Sequence, residues 1–397
     1  MVLYGLSNNI LTGRVLFMIK NCKTKIICTC IFYIVLAFQI QVVGQKTAQN
    51  SVKKSEEFIF EKAPFASCHA STIAETPAGL VSAWFGGPYE GNKDVEIWLS
   101  RQVGKKWSEP VSVANGIQHK SRRYPCFNPV LFQVPDGPLL LFYKVGPDIK
   151  QWWGMLSKSF DHGKTWSEAQ RLPQHILGPI KNKPLMLSNG TLICPSSTED
   201  NGWRIHFEMT RDLGKTWEIT EPVNRFNVIQ PSILTYADGR LQSLSRSKEN
   251  RVVSGWSGDQ GKTWEDLEMT DVPNPNSGTD AVTLSNGLQL LVYNHSVRGK
   301  GQWSGPRFPL AIALSKDGIV WKALEILEDK PGEYSYPAVI QSKDGMVHIT
   351  YSCKTGNIIK GAAGGSIYEN EHIRHLTVDV SKIDFDKLKN ITGNEWP

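Results

Sequence analysis

Apolar residues come along this chain in short runs of strand length, and the polar breaks between them fall at a regular interval. Ala78-Gly79, Asp136-Gly137, Asn189-Gly190, Asp238-Gly239, Asn286-Gly287 and Asp344-Gly345 each separate one apolar run from the next. Five of these six pairs are Asn-Gly or Asp-Gly, the strongest short-range signal for a β-hairpin. The glycines follow one another at intervals of 48 to 58 residues. A period near 50 with four short strands per unit predicts a β-propeller rather than a solenoid or a sandwich, and six turns predict six blades. The segment Glu57 to Glu61 (EFIFE) alternates as a strand does, and it is expected to join the last blade and close the ring. No stretch beyond the first 44 residues reads as a long amphipathic helix, and the charged end from Asp384 to Pro397 is expected at the periphery.

A second repeat runs through the same region. Ser159 to Trp166 reads SFDHGKTW, Thr210 to Trp217 reads TRDLGKTW, and Ser257 to Trp264 reads SGDQGKTW, with a worn copy at Ser315 to Trp321. Asp and Gly tolerate a tight, partly left-handed turn, the Ser, Thr and Asp side chains cap its amides, and the Trp packs beneath it. Such a unit stabilises a turn and performs no chemistry. It resembles the Asp box, or bacterial neuraminidase repeat, that sialidase-like propellers carry between the outer two strands of a blade. The resemblance implies an all-β, sialidase-like six-bladed β-propeller over residues 56–397, after a flexible polar lead-in at 45–55.

Length and charge narrow the function. Of the 397 residues, a propeller of this period uses most as one domain. A net charge of +6 is too mild for a nucleic-acid reader, which would show a clustered basic face with stacking aromatics. Lys20, Lys23 and Lys25 precede an apolar run from Ile26 to Val43, the pattern of an export signal cleaved near Gly44, with Met18 a second possible start. The alternative is a membrane anchor, weakened by Thr29, Gln39 and Gln41. The expectation is a secreted or periplasmic protein without stable membrane association, acting as a monomer. Cys68, Cys126, Cys194 and Cys353 lie beyond the leader without metal or redox spacing. Their even count permits disulfides, and their apolar strand contexts favour buried free thiols.

A propeller gathers the starts of its inner strands around one axis, so residues distant in sequence meet at one face. Here the resemblance to sialidases becomes residue-specific. Arg307 stands eight residues before Ser315, and Tyr336 eight before Asp344, spacings similar to those of the family's carboxylate-binding Arg and nucleophilic Tyr. Arg246 in LSRS resembles the family's blade-four Arg, and Asp94 in DVEI stands where the resemblance implies the general acid/base. Two positions depart from the pattern. His69 in SCHAST replaces the blade-one Arg, and Gln230 in IQPSIL replaces the Glu that would polarise the tyrosine. A His may be uncharged at neutral pH where Arg offers a permanent planar fork. Gln cannot take a proton, so it cannot be the base that activates Tyr336. Lys181, Lys183, Asp280, Asn294, His295, Asn128 and Arg123 are polar residues that fall near the same face.

The resemblance thus implies an exo-acting glycoside hydrolase removing a terminal acidic sugar from a glycan or polysaccharide. Asp94 would be the acid/base, Tyr336 the nucleophile or electrostatic stabiliser, Arg246 and Arg307 the carboxylate clamp, and His69 and Gln230 assisting residues. The family uses a neutral tyrosine because its sugars carry a carboxylate on the anomeric carbon, which repels a charged nucleophile. No cofactor or metal is implied, since no His/Asp cluster stands at ligand spacing. Two other functions fit the same residues. A uronic-acid polysaccharide lyase would use His69 or Tyr336 as the base and the two Arg as carboxylate neutralisers. A non-catalytic carbohydrate-binding propeller would account for the departures at positions 69 and 230.

Overall fold

The structure, a computed structural model, describes residues 51–119, 122–223, 225–362 and 365–397. The leader and its apolar run lie outside the described residues. Val52–Pro397 forms one compact unit, built of six antiparallel sheets that radiate as blades. From the axis outward, blade one runs Ser67–Thr76, Gly79–Gly87, Glu96–Val103 and Val111–Ala114, and blade two runs Cys126–Gln133, Leu139–Val145, Trp153–Ser159 and Gln170–Arg171. Blade three uses Leu185–Met186, Leu192–Thr198, Arg204–Thr210 and Glu218–Ile219, and blade four Val228–Thr235, Leu241–Ser247, Arg251–Ser257 and Glu268–Pro273. Blade five uses Asp280–Thr283, Gln289–Asn294, Leu310–Ser315 and Trp321–Glu328.

Blade six takes three consecutive strands, Glu333–Gln341, Val347–Ala362 and Gly365–Val378, and borrows its outer strand, Lys53–Phe58, from the start of the unit. Ring closure is therefore as the alternation suggested, but the strand begins earlier, inside the stretch read as a lead-in. Lys54, Ser55 and Glu56 are exposed there because an outermost strand needs only backbone pairing, so hydropathy does not mark it. The charged C-terminus is also more integrated than its composition suggests. Ile391 is buried, its amide donates to the Trp321 carbonyl, and the Ala323 amide donates to that of Lys389, edging blade five.

Apolar layers fill the gaps between blades and carry the ring's cohesion. Leu139 and Leu141 meet Val81 and Ile97 between blades one and two, and Ile73 and Trp84 belong to the layers that seal blade one against blade six. The largest such layer, with Leu290, Ile312, Ile349 and Tyr351, lies between blades five and six. Full burial of each such side chain stabilises by about 1.5–3 kcal/mol. All four described cysteines sit in this apolar material as free thiols.

The predicted hairpin glycines stand between the first and second strands of their blades. Gly79, Gly190, Gly239, Gly287 and Gly345 have positive φ, whereas at Gly137 the left-handed residue is the preceding Asp136, φ +52°. Each Asp box closes a turn after the third strand. In the first, Gly163 N donates to Ser159 Oγ at 2.8 Å, and Asp161 accepts from Ser159 Oγ, Thr165 N and Thr165 Oγ1 at 2.6–2.8 Å. The same bonds recur around Asp212 and Asp259, and the tryptophans beneath are half-buried. Because strands alternate in direction, these turns and the inner hairpins share one face of the ring. The starts of the inner strands and the loops from second to third strands share the other. Among the described residues the helical content is a single three-residue turn, Phe385–Lys387, and no helix is long and apolar enough to cross a membrane.

Candidate active site

The second face is shaped by a repeated irregularity. In blades one, two, four and six the inner strand carries a bulge, and the bulged residue has positive φ: Ala70 at +57°, Asn128 at +38°, Gln230 at +58° and Tyr336 at +53°. A bulge re-aims a side chain that regular pleating would send into the neighbouring blade. For non-glycine residues such backbone costs about 1–3 kcal/mol and persists only where the surroundings over-determine it. In three of the four, proline follows directly, as Asn128-Pro129, Gln230-Pro231 and Tyr336-Pro337; a residue without an N–H sits where a bulge spares the ladder a donor. This repeated X-Pro was a signal available in the sequence for the axial positions.

Tyr336 stands at the centre of what these bulges gather. Its hydroxyl oxygen accepts from Gln230 Nε2 and from Arg246 Nη1, each at 3.1 Å. Arg246 Nη1 also donates to Gln230 Oε1 at 3.3 Å, and Arg246 Nε donates to Asn276 Oδ1 at 2.9 Å. Because a guanidinium has no acceptor, Gln230 must turn its oxygen to Arg246 and its amide hydrogens to Tyr336. The substitution of Gln for Glu thereby inverts the bond: the group that would accept the phenol's proton donates to its oxygen instead. Arg246 is 5% exposed, and its fork is largely committed to these partners. Burial pulls its pKa down, opposed by the hydroxyl of Tyr336.

His69 packs its ring 4.4 Å from that of Tyr336. It is 6% exposed, and its Nδ1 is buried without a hydrogen-bond partner. Burial, reinforced by the Lys354 charge, holds its pKa well below the ordinary value, so the ring is a neutral imidazole at neutral pH. Lys181 lies beneath the Tyr336 ring, 5.9 Å from its centroid. Its ammonium donates to the carbonyls of Thr279 and Pro337 and to Asn182 Oδ1, and burial drops its pKa to about 7. Beside it Lys183 pairs with Asp280 at 3.0 Å, and Asp280 accepts from Val339 N and Ser232 Oγ. These residues tie blades three to six across the axis and act as a structural plug. Asn294 and Asn128 likewise serve the backbone, donating to the carbonyls of Arg307 and Ile180. His295 shares a hydrogen bond with Tyr293 OH, 2.7 Å away, and does not line the cavity beside Tyr336.

A cavity of about 270 Å³ opens beside Tyr336, and His69, Tyr89, Glu90, Arg307, Glu333 and Lys354 are among the residues that surround it. Arg307 Nη1 lies 3.5 Å from Glu333 Oε1. Burial would raise the Glu333 carboxyl, but the charges of Arg307 and Lys354 outweigh it and bring its pKa to about 2. Lys354 pairs with Glu371 at 3.3 Å, and although burial opposes it, Glu333 and Glu371 raise its pKa. His69 stands at the blade-one position where the family resemblance implies an arginine, and Lys354 of blade six faces the same cavity. Four expected residues, Tyr336, Gln230, Arg246 and His69, meet at one point, and Arg307 faces the same cavity. The expected pair of open arginine forks differs: Arg307 faces the cavity, and Arg246 stands behind the tyrosine.

Asp94 is not brought to the cavity wall. Its side chain is 42% exposed and is held by Lys93 at 3.0 Å and by Arg123 at 3.3 Å. The loop that ends at Asp94 instead sends Tyr89 and Glu90 into the cavity. Glu90, Glu333 and Lys354 were not singled out by sequence. Glu90 lies in the loop Phe85 to Asn92, whose length signals an approach to a ligand; for Glu333 and Lys354 no local motif exists. Among the described residues no group of three or more His, Cys, Asp or Glu is placed to hold a metal.

Fold and site together define a sialidase-like propeller with a tyrosine–arginine pocket at its axis. The chain belongs to the BNR repeat-like domain family, whose profile matches residues 78–349. It is similar to a sialidase of Bacteroides fragilis (strain YCH46), 24% identical over 224 residues that cover 51% of this chain and 40% of that protein. The matched stretch is thus well under two thirds of that relative. Among solved structures, a protein of unknown function from Dyadobacter fermentans superposes with a TM-score of 0.63 at 18% identity, covering 82% of this chain and 98% of that one. The NanB sialidase of Streptococcus pneumoniae gives 0.61 at 12% identity, covering 82% and 71%. Trypanosoma rangeli sialidase gives 0.60 at 18%, covering 82% and 58%. At these identities the structures speak to fold.

Proposed function

We propose that the protein is an exported, exo-acting glycoside hydrolase that removes a terminal acidic sugar from a glycan or polysaccharide. The observation that carries this is the Tyr336 hydroxyl, gripped by Gln230 and Arg246 at the edge of a cavity of about 270 Å³ that Arg307 and Lys354 also face. That volume is at the small end for ligand sites, which suits one sugar unit and hence exo action. A carboxylate bound by Arg307 would gain charge-assisted hydrogen bonds, with Lys354 adding charge from the next strand. Tyr336 then faces the anomeric carbon as nucleophile or stabiliser, and the positive charge of Arg246 at its oxygen favours electron density there in the transition state. The sialidase relative supports the same substrate class. The sugar and linkage are read from a panel of aryl glycosides of sialic acid, its deaminated and eight-carbon relatives, and uronic acids. Release of the aryl alcohol from one of them is the expected result, and silence across the panel contradicts it.

A second reading, elimination from a uronic-acid polysaccharide, is favoured by His69, a neutral imidazole with an unpartnered nitrogen beside Tyr336, and by Gln230 donating where a hydrolase of this type would have a base. An unsaturated uronate product absorbs in the ultraviolet and a hydrolysis product does not, so product absorbance decides between the two. Binding without turnover of either substrate class would mark a carbohydrate-binding propeller.

A further inference from the structure

We infer that Glu90, rather than Asp94, is the proton donor of this pocket, and that Asp94 holds the loop that presents it. The inference rests on the hydrolase reading above and names the acid that reading requires.

The loop between the second and third strands of blade one is built as a rigid bracket. Asn92 N donates to the Tyr89 carbonyl at 3.1 Å, closing a four-residue turn in which Glu90 and Gly91 are central and Gly91 takes φ +83°. Asn92 Oδ1 accepts from Asp94 N at 2.8 Å, and Val95 N donates to the Asn92 carbonyl at 2.9 Å. Asp94 ends the bracket with its carboxylate clamped between Lys93 and Arg123, and Arg123 is in turn paired with Glu96 at the start of the next strand. Those two contacts turn the Asp94 carboxylate toward Lys93 and Arg123, and it does not line the cavity. Glu90, in the middle of the turn, faces the same cavity as Tyr336, Arg307, Glu333 and Lys354, and among the described residues it makes no ion pair, the charges of Lys354 and Arg307 reaching it only at longer range.

Its surroundings suit a donor. Burial raises the Glu90 carboxyl above its ordinary value; the charge of Lys354 opposes this and that of Glu333 adds to it. A carboxyl that holds its proton more tightly than usual, facing the cavity beside Tyr336, is placed to protonate a departing alcohol. In the step, the Glu90 proton passes to the glycosidic oxygen as the bond from that oxygen to the anomeric carbon breaks. The alcohol leaves, the positive charge left at the anomeric carbon is stabilised by the Tyr336 oxygen, which keeps its own proton, and a water adds its hydroxyl to that carbon while its other proton returns to the Glu90 carboxylate. No further reactant is required.

The test compares Glu90→Gln with Asp94→Asn on two glycosides of the same acidic sugar, one 4-nitrophenyl and one methyl. A nitrophenol departs without help, whereas methanol must be protonated. E90Q is expected to cut kcat/KM on the methyl glycoside by about 10³-fold and on the nitrophenyl glycoside by less than about tenfold, and to abolish the alkaline limb of the pH profile. D94N is expected to lower both substrates by the same modest factor and to keep that limb. Glu90→Asp, which retains the acid on a shorter arm, should keep the limb at a reduced rate, and melting curves establish that each variant is folded. A leaving-group-dependent loss in D94N, or an even loss across both substrates in E90Q, overturns the assignment while leaving the hydrolase reading intact. Failure of the wild-type protein to cleave the nitrophenyl glycoside overturns that reading and the assignment together.

Discussion

The two faces of the ring are made from the same strands and follow opposite rules. On the Asp-box face, three turns repeat one hydrogen-bond pattern almost atom for atom, with every carboxylate satisfied by its own turn. On the other face no two blades present the same side chain at the bulge. Ala70, Asn128, Gln230 and Tyr336 occupy equivalent places, and His69 keeps an unpartnered buried nitrogen. Repetition marks where a blade needs only stability. Divergence at structurally equivalent positions marks where the ring meets something outside itself.

At neutral pH, changes on the two faces should therefore act mainly on kinetics at the cavity and on stability at the Asp boxes. The largest effect is expected for Tyr336→Phe, which removes the hydroxyl that Gln230 and Arg246 grip. The rate on the substrate found in the aryl glycoside panel should fall by about 10³-fold with KM little moved. A loss confined to KM would place the tyrosine in ground-state binding. Arg307→Gln removes the fork on the cavity wall and should raise KM by about 10–100-fold, in line with the ~1.5–3 kcal/mol of a hydrogen bond to a charged group, and should erase the preference for acidic over neutral sugars.

On the opposite face, Trp264→Ala removes an indole stacked on Phe207 at 3.8 Å. It should cost about 2–3 kcal/mol in a denaturant melt and leave kcat and KM unchanged. An equal kinetic penalty would mean that the faces are coupled. An effect of similar size, confined to acid, follows from Glu333, whose carboxyl is brought to about 2 by Arg307 and Lys354 against burial. A depressed acid stabilises the fold above its unfolded pKa, and that stability is lost as pH falls through the folded value. Glu333 should therefore contribute a loss of roughly 2–3 kcal/mol between about pH 4.5 and pH 2, and Glu333→Gln should remove that share of the curve.

The same contrast governs what the sequence made legible. The Asn-Gly and Asp-Gly turns and the SxDxGxTW boxes are local, since each turn's requirements are met within eight residues, and they led directly to six blades. Tyr336, Arg246, Arg307, Gln230 and His69 were legible through spacing relative to those turns. The roles of their partners were not. Nothing near Gln230 in the chain says that Arg246, on the paired strand, forces its amide toward Tyr336. Lys354 and Glu333 face the cavity only because the two strands of blade six pair there, with Glu333 opposite Lys354. Asp94 and Glu90 are four residues apart on one loop, and only the turn at Gly91 and the pull of Arg123 decide which one faces inward. The outer strand Lys53–Phe58 was partly hidden for a related reason, since pairing through the backbone leaves little trace in side-chain pattern.

The central claim is that the pocket beside Tyr336 takes an acidic monosaccharide through Arg307. It is tested most directly by calorimetric titration of the protein with free sialic acid and glucuronic acid, and with the same sugars carrying a primary alcohol or amide in place of the carboxylate. The account predicts saturable one-to-one binding of at least one acid, loss of that binding in Arg307→Gln, and no measurable binding of its neutral counterpart. Equal affinity for acid and neutral forms, or binding of the acid that survives the loss of Arg307, would contradict it.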